Sequence, residues 1–204
     1  MKILVFGSTF LTEIACRHLL KTGKHELVGH IPNSRRITVP GNMPIPETSL
    51  ASECDIILSI QYDRIINDVE KSFNVHTGLL PQYGGVDILY HTLKNGEAEQ
   101  GITFHKITEA LDFGPIVSRI SYPVFESDTV VDLYKKMAFI LPSFVESALD
   151  ILEIITPGGA AKCHMIEPIT YKSNQIADED KETYRENKDK IIAVSNLIRS
   201  RYVQ

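Results

Sequence analysis

Residues 2–31, KILVFGSTFLTEIACRHLLKTGKHELVGHI, open on one short apolar run and end on another. The first run, residues 2–6, predicts a buried strand, and residues 7–9 predict a turn. Apolar side chains then recur at helical spacing up to Gly23, a residue type that often ends a helix. Residues 26–31 predict a second strand. A strand, a helix and a strand in this order predict parallel strands joined by a right-handed crossover, and therefore an α/β fold.

The remaining patterns predict further strands and helices. Strands are predicted at residues 55–60, 73–76, 101–107 and 116–124, and helices at residues 65–71, 87–93, 128–141, 144–155 and 191–202. Residues 33–50, rich in proline and polar residues, predict an irregular loop. Asp128 is expected to be the N-cap residue of the long helix, and Pro142 is expected to kink or split this helix. The acidic start of the charged run at residues 178–190 predicts a solvated face.

The composition limits the classes of protein that fit. The 204 residues are 43% hydrophobic and 23% charged, ordinary globular values, and a net charge of -5 gives no general attraction to nucleic acid. The apolar start is too short for a signal peptide, and no segment approaches the roughly 20 apolar residues of a membrane span. We expect a soluble cytoplasmic protein without membrane or nucleic-acid partners. Neither a disulfide framework nor a zinc motif is indicated by the three well-separated cysteines, Cys16, Cys54 and Cys163.

Asn74 and His76 stand two residues apart at the carboxyl end of a predicted strand, before the loop PQYGG. This spacing places both side chains on one face of the strand. An amide donor beside an imidazole suits the stabilisation of an oxyanion as a carbonyl carbon becomes tetrahedral. The alternative is that His76 is a hydrogen-bonded core residue and Asn74 a turn residue. Asp112, in the turn EALDFGP, offers a carboxylate that would orient His76 and favour its charged form.

Other polar positions leave alternatives open. The turn FGSTFL has one glycine where a dinucleotide-binding loop has three, so it is either an ordinary β-α turn or a substrate contact. His105 alternates with apolar residues along its strand and is either a wall residue or a substrate contact. The remaining histidines show no metal-ligand spacing, so no metal is expected.

The motifs together resemble a known family. The segments NVHTGLLP (residues 74–81), GG (84–85), GIT (101–103) and LDFGPI (111–116) are similar to the ordered pattern of the folate-dependent formyltransferases. The resemblance extends over about residues 2–152. It implies a Rossmann-like, mostly parallel sheet with flanking helices in a catalytic domain, residues 1–156. A small C-terminal helical/β portion, residues 157–204, would then end in a helix.

The resemblance also implies the chemistry and the site residues. The formyl donor would be 10-formyltetrahydrofolate, and no metal would be needed. Asn74 and protonated His76 would stabilise the oxyanion, while Asp112 would hold His76 charged and help to move the proton through water. Folate contacts are expected from Gln61, Tyr62, Asp63, Ile65, Leu111, Phe113 and Gly114. Contacts to the acceptor are expected from Ser8, Thr9, Phe10, Gly78, Tyr83, Gly84 and His105, with Tyr83 offering a ring face to a base or a sugar.

Three groups within the family differ in the amine that receives the formyl group. Methionyl-tRNA formyltransferases add a basic C-terminal domain, and glycinamide ribonucleotide formyltransferases carry a glycine-rich loop after the first strand. The sugar-nucleotide N-formyltransferases fit better, with a dTDP-linked 3-amino or 4-amino dideoxyhexose as the expected substrate, in the synthesis of surface polysaccharide such as O-antigen. Glycinamide ribonucleotide formylation and a non-catalytic binding module remain alternatives. Family habit and the apolar side of the terminal helix predict a homodimer.

Overall fold

The computed structural model describes residues 1–35, 39–49, 53–155, 169–172 and 175–202. The expected domain boundary near residue 156 lies outside the described residues, and so does Cys163. Within these ranges, no helix combines the length and the apolar character that a membrane span requires.

A six-stranded sheet forms the centre of the fold, in the order β2-β1-β3-β4-β6-β7. Its strands are β1 (Lys2–Phe6), β2 (Glu26–Ile31), β3 (Ile56–Ile60), β4 (Ser72–His76), β6 (Glu99–Lys106) and β7 (Ile116–Pro123). A two-stranded ribbon pairs β5 (Gly84–Gly85) with β8 (Thr170–Tyr171). In the large sheet β1 to β4 are parallel, and only β6 runs against its neighbours. The sheet is therefore mostly parallel, and the Rossmann-like α/β prediction is confirmed.

The helices are α1 (Phe10–Thr22), α2 (Ile88–Lys94), α3 (Val130–Ile155) and α4 (Lys181–Tyr202). Local signals define α1, because Thr9 and Thr12 form a reciprocal capping box and Gly23 ends the helix with φ 68°. Side chains alternate across β1, so that Ile3 and Val5 join a large apolar cluster with α1 and α3. Leu4 and Phe6 join a smaller cluster on the opposite face.

The long helix α3 differs from its prediction at two points. The capping role belongs to Thr129, whose hydroxyl accepts the Asp132 N–H (3.3 Å) while the Asp132 carboxylate accepts the Thr129 N–H (3.1 Å). Asp128 instead accepts the Phe125 N–H, so its assignment as N-cap was wrong. The helix also continues through Pro142 as one element, with buried residues on both sides of the proline, so the split does not occur and the kink stays a prediction.

The predicted helix at residues 65–71 is absent. These residues form bends and a turn before β4. Ile65 is 91% exposed, so the apolar residues that predicted the helix do not form one buried face. The C-terminal helix α4, by contrast, begins ten residues earlier than predicted and includes most of the charged run. The acidic start of that run is more than a solvated face, because Asp180 accepts hydrogen bonds from Tyr90 Oη (2.6 Å) and Lys94 Nζ (2.9 Å).

The apolar side of α4 packs inside the chain. Ser195 is fully buried, and Ile191 and Ile198 pack against the large cluster. Part of the surface on which the homodimer was predicted is therefore used within one molecule, while Leu197 is 59% exposed, and the dimer stays a prediction.

Candidate active site

A cavity of about 760 Å³ opens at the carboxyl ends of β1, β3 and β4. Thr9 and Phe10 line it after β1, residues 61–65 line it after β3, and residues 74–77 line it at the end of β4. The parallel strands bring these segments together, since ligands in open α/β sheets bind beyond the carboxyl ends of the strands. Further lining comes from the segment after β5, the turn at Asp112, and one face each of α3 and α4.

Asn74, His76 and Asp112 all line this cavity. His76 Nδ1 lies 3.5 Å from Asp112 Oδ1. The β4–β6 pairing sets His105 directly opposite Asn74, with 3.2 Å between Asn74 Nδ2 and His105 Nε2. His105 Nε2 also lies 3.7 Å from Asp112 Oδ1. The three residues of the motif, together with His105, therefore form one connected cluster.

His105 orients Asn74 and does not contact the cavity. Its Nδ1 donates to the Lys106 carbonyl oxygen (3.0 Å), so in the neutral ring Nε2 accepts a hydrogen from the Asn74 amide. Burial, and then the neighbouring His76, lower the pKa of His105 to about 4, although Asp112 opposes this. His105 is 2% exposed and does not line the cavity, so it is not placed for the expected substrate contact and instead supports Asn74 from behind. The amide of Asn74 keeps its second N–H and its oxygen for the cavity.

His76 is held between two groups that accept hydrogen bonds. Its Nε2–H donates to the Tyr83 carbonyl oxygen (2.6 Å), and its Nδ1 faces the Asp112 carboxylate. These two contacts fix the orientation of the ring, with Nδ1 toward the carboxylate of Asp112, the partner that the resemblance implied.

Asp112 is fixed by the backbone around it. It has the left-handed conformation, φ 54°, which Asp and Asn tolerate better than most residues. Its Oδ2 accepts the Gly85 N–H (2.7 Å). Gly85 itself has φ 90°, and a Cβ there would lie 2.1 Å from the Tyr171 carbonyl oxygen. The pairing of β5 with β8 thus holds the donor that orients the carboxylate.

The expected folate contacts divide into two groups. Gln61, Tyr62, Asp63, Ile65 and Leu111 line the cavity, whereas Phe113 and Gly114 do not. Gly114 instead packs so closely on β6 that a Cβ would meet the Lys106 carbonyl oxygen.

Two features of the lining near residues 61–65 bear on a ligand. Burial alone would raise the pKa of Asp63, but hydrogen bonds from the backbone of Ser34 and Arg35 lower it. Ile65 is 91% exposed and Leu111 is 69% exposed. Two large apolar side chains at the edge of one cavity offer surface that a flat aromatic ligand would cover.

Of the expected acceptor contacts, only Thr9 and Phe10 line the cavity. Ser8 is engaged with Asn33, whose Oδ1 accepts its N–H at 2.7 Å. Gly78 packs against the loop, since a Cβ would lie 2.4 Å from the Tyr83 carbonyl oxygen, and Gly84 donates its N–H to Ile169 (2.9 Å).

The expected role of Tyr83 in stacking is not supported by its position. The ring is 5% exposed and lies against Tyr171, with 5.3 Å between the ring centroids. Its hydroxyl donates to Glu97 (2.7 Å). Tyr171 of β8 covers the Tyr83 ring, so this ring is not available to a base or a sugar.

The contribution of α4 to the cavity was not predicted from the sequence. Tyr184, Asn187, Lys188 and Ile191 line it. Their spacing of three, four and seven residues is that of one helical face, a signal that depends on starting the helix at Lys181. Tyr184 donates its hydroxyl hydrogen to Asp87, and burial, followed by this bond, raises the pKa of Tyr184.

Among the described residues, no group of three or more His, Cys, Asp and Glu side chains is arranged to hold a metal ion.

The comparisons with known proteins concern the family model and the relatives that match this chain. The family model described as "Formyl transferase" matches residues 46–149. A curated relative, the bifunctional polymyxin resistance protein ArnA of Wigglesworthia glossinidia brevipalpis, is 42% identical over 91 residues, which cover 42% of this chain and 14% of ArnA. The methionyl-tRNA formyltransferase of Streptococcus pyogenes serotype M6 is 34% identical over 76 residues, which cover 37% of this chain and 24% of that protein. The matched segment thus spans less than a quarter of either relative.

Among solved structures, the N-formyltransferase from Helicobacter canadensis has a TM-score of 0.69 at 24% identity. The match covers 87% of this chain and 72% of that one. That protein was crystallised with folinic acid and dTDP-3-aminofucose. At this identity the likeness establishes a shared fold.

Proposed function

The chain belongs to the formyl transferase family, a family of enzymes, and we propose that it transfers a formyl group from 10-formyltetrahydrofolate to the amine of a nucleotide-linked amino-dideoxy sugar. The acceptor we favour is a dTDP-linked 3-amino or 4-amino dideoxyhexose, formylated in the synthesis of surface polysaccharide. The convergence of Asn74, His76 and Asp112 on one cavity carries the proposal.

The folate would bind along residues 61–65 and the turn at Leu111. The exposed side chains of Ile65 and Leu111 supply apolar surface for the pterin, and Gln61 and Asp63 supply polar groups nearby. The N-formyltransferase from Helicobacter canadensis, which has the same fold, was crystallised with folinic acid. A volume of about 760 Å³ lies within the range of small-molecule sites.

The chemistry follows from the cluster. The neutral amine attacks the formyl carbon, a C–N bond forms, and negative charge develops on the formyl oxygen. The free N–H of Asn74 would bind that oxygen, and the charged ring of His76 would stabilise it. The bond from the formyl carbon to N10 of the folate then breaks, as the amine loses a proton through water near Asp112 and N10 gains one. A preorganised donor of this kind contributes about 3–4 kcal/mol to the transition state.

The choice of acceptor rests on the segment after β1 and on the relatives. Residues 7–9 lack the glycine-rich loop that the glycinamide ribonucleotide enzymes use for a monophosphate, which favours a different acceptor. The Helicobacter canadensis enzyme was crystallised with dTDP-3-aminofucose.

A formyl-transfer assay with a panel of amines tests the proposal. Each reaction contains 10-formyltetrahydrofolate and one amine: a dTDP-linked 3-amino sugar, a dTDP-linked 4-amino sugar, a UDP-linked 4-amino sugar, or glycinamide ribonucleotide. We expect a product heavier by one formyl group from at least one amino-sugar nucleotide. Efficient formylation of glycinamide ribonucleotide alone would overturn the acceptor and leave the chemistry standing. Folinic acid binding without formylation of any amine would favour the non-catalytic alternative.

A further inference from the structure

Four side chains on one face of α4 line the cavity, and each has a different chemical character. Tyr184 supplies an aromatic ring, Asn187 an amide, Lys188 an ammonium group and Ile191 an aliphatic surface. Tyr184 and Asn187 are half-buried and Lys188 is exposed. An aromatic ring, an amide and a cation together match the parts of a nucleotide, which offers a flat base, polar base edges and anionic phosphates.

Side-chain contacts fix α4 against the rest of the cavity. Tyr184 Oη donates to Asp87, which lies two residues after the Gly85 that orients Asp112. Farther along the helix, Ser195 Oγ lies 3.0 Å from Tyr134 Oη of α3. Arg199 Nε donates to the fully buried Glu13 of α1 (2.9 Å).

The carboxylates around the cavity already have protein partners. Asp63 accepts from the backbone of Ser34 and Arg35, Asp87 accepts from Tyr184, and Asp112 accepts from Gly85. Each negative group is therefore satisfied within the chain.

Lys188 is different from these groups. Its Nζ lies 4.5 Å over the Tyr184 ring, and among the described residues no carboxylate forms an ion pair with it. The other cations of the lining lie with the segments proposed for folate. Arg64 donates to the Pro32 carbonyl oxygen, and the backbone of Arg35 bonds to Asp63. An ammonium group without an anionic partner at the edge of a cavity is suited to an anionic ligand.

We propose that this face of α4 binds the nucleoside diphosphate part of the acceptor, with Lys188 on the phosphates and the Tyr184 ring beside the base or the sugar. The proposal rests on the proposed function in one respect, that the acceptor is a nucleotide sugar. It assigns the acceptor's specificity to the C-terminal helix, whereas the folate and the reacting groups belong to the sheet and its loops. Neither Lys188 nor Tyr184 takes part in the chemistry.

Calorimetric titration of the full chain with dTDP, UDP and inorganic pyrophosphate tests this assignment. Replacing Lys188 by Ala should weaken the better nucleoside diphosphate by about tenfold or more, the loss of one charge-assisted contact. Lys188→Arg should retain most of the affinity. The matched control is Lys190→Ala, since Lys190 lies on the same helix, is paired with Glu186 (3.5 Å) and does not line the cavity. It should change affinity less than twofold.

The outcomes separate this assignment from the proposed function. Unchanged nucleoside diphosphate affinity in Lys188→Ala, or an equal loss in Lys190→Ala, would overturn the assignment. So would the absence of nucleoside diphosphate binding by the wild-type chain. Folinic acid binding, measured in parallel, should be the same in all variants. Lys188-dependent binding in a chain that formylates no amine would leave the assignment standing while the proposed function failed.

Discussion

The cavity has a strand wall, made of the end of β4 and the turn at Asp112 with β6 behind them, and a helix wall, made of α4. The two walls hold their polar groups differently. On the strand wall, His105 bonds to Asn74, and Asp112 is held by Gly85 and lies against His76. On the helix wall the corresponding groups are half-buried or exposed. The groups proposed for chemistry are thus fixed by one another, while those proposed for recognition depend on how the whole helix is anchored.

This difference has an energetic consequence. A change within the strand wall acts directly on preorganised groups in a mostly buried cluster, where electrostatic interactions are strong. A change at an anchor of the helix wall is expected to move the groups proposed for recognition and to leave that cluster in place. The two walls can therefore be perturbed separately.

The largest effect is expected from Asp112→Asn. Asn has nearly the same size, tolerates the left-handed conformation, and its oxygen can still accept the Gly85 N–H, so the substitution removes mainly the negative charge beside His76. Turnover should fall at least about 100-fold, as losses of single acid-base or oxyanion groups do. His76→Asn should have a similar effect, with folinic acid binding retained. The control is Asp68→Asn, outside the cavity, and near-normal turnover in Asp112→Asn would place the chemistry elsewhere.

A smaller effect, confined to the helix wall, is expected from Arg199→Ala. The buried Glu13 would lose one of its two arginine partners and keep only Arg17 and the Asn42 N–H. The free energy of unfolding should fall by about 1–3 kcal/mol, because a buried charge becomes less well satisfied.

Binding measurements extend this test to the site. In Arg199→Ala, nucleoside diphosphate affinity should fall while folinic acid affinity stays constant. Arg185→Ala, an exposed position on the same helix, is the control for both measurements. Equal losses of both affinities would show that the two walls are not independent.

The smallest effect concerns His105 and pH. Its pKa in the folded chain is about 4, below the usual 6.5, so the unfolded chain takes up a proton that the folded chain excludes as pH falls below 6.5. This residue therefore makes the wild-type protein less stable as pH falls from 6.5 toward 4. The free energies of unfolding of wild type and His105→Gln should be measured with urea at pH 7 and at pH 5. Between pH 7 and pH 5, the wild type should lose about 1–2 kcal/mol more of this free energy than the variant does. A difference that is constant with pH would contradict the neutral, buried state of His105.

Much of the fold followed from local patterns. The strands β1 and β2 and the helix α1 have the predicted bounds or lie within a residue of them, because alternation, helical spacing and Gly23 act over a few neighbouring residues. The i, i+2 spacing of Asn74 and His76 likewise placed both at one strand end. The helix predicted at residues 65–71 is absent, and its apolar residues share no buried face, since Ile66 is buried while Ile65 is 91% exposed.

Contacts distant in sequence account for the errors at the site. Tyr83 was expected to offer its ring to a ligand, but Tyr171, more than eighty residues later, covers it. His105 was left as either a wall residue or a substrate contact, and the register of β4 with β6 decided between these. The charged run before residue 191 concealed a helical face, since its polar side chains meet the cavity only when α4 packs on α1 and α3.

The sequence by itself determined the α/β order, the formyl transferase motifs and the residues Asn74, His76 and Asp112, because periodicity and motif spacing are properties of nearby residues. Only the tertiary structure decided which groups face the cavity, which donor holds Asp112, and that α4 forms one of its walls. The reason is physical: burial and hydrogen-bond partners at these positions come from strands and helices far apart in the chain, and no local pattern records which of them meet.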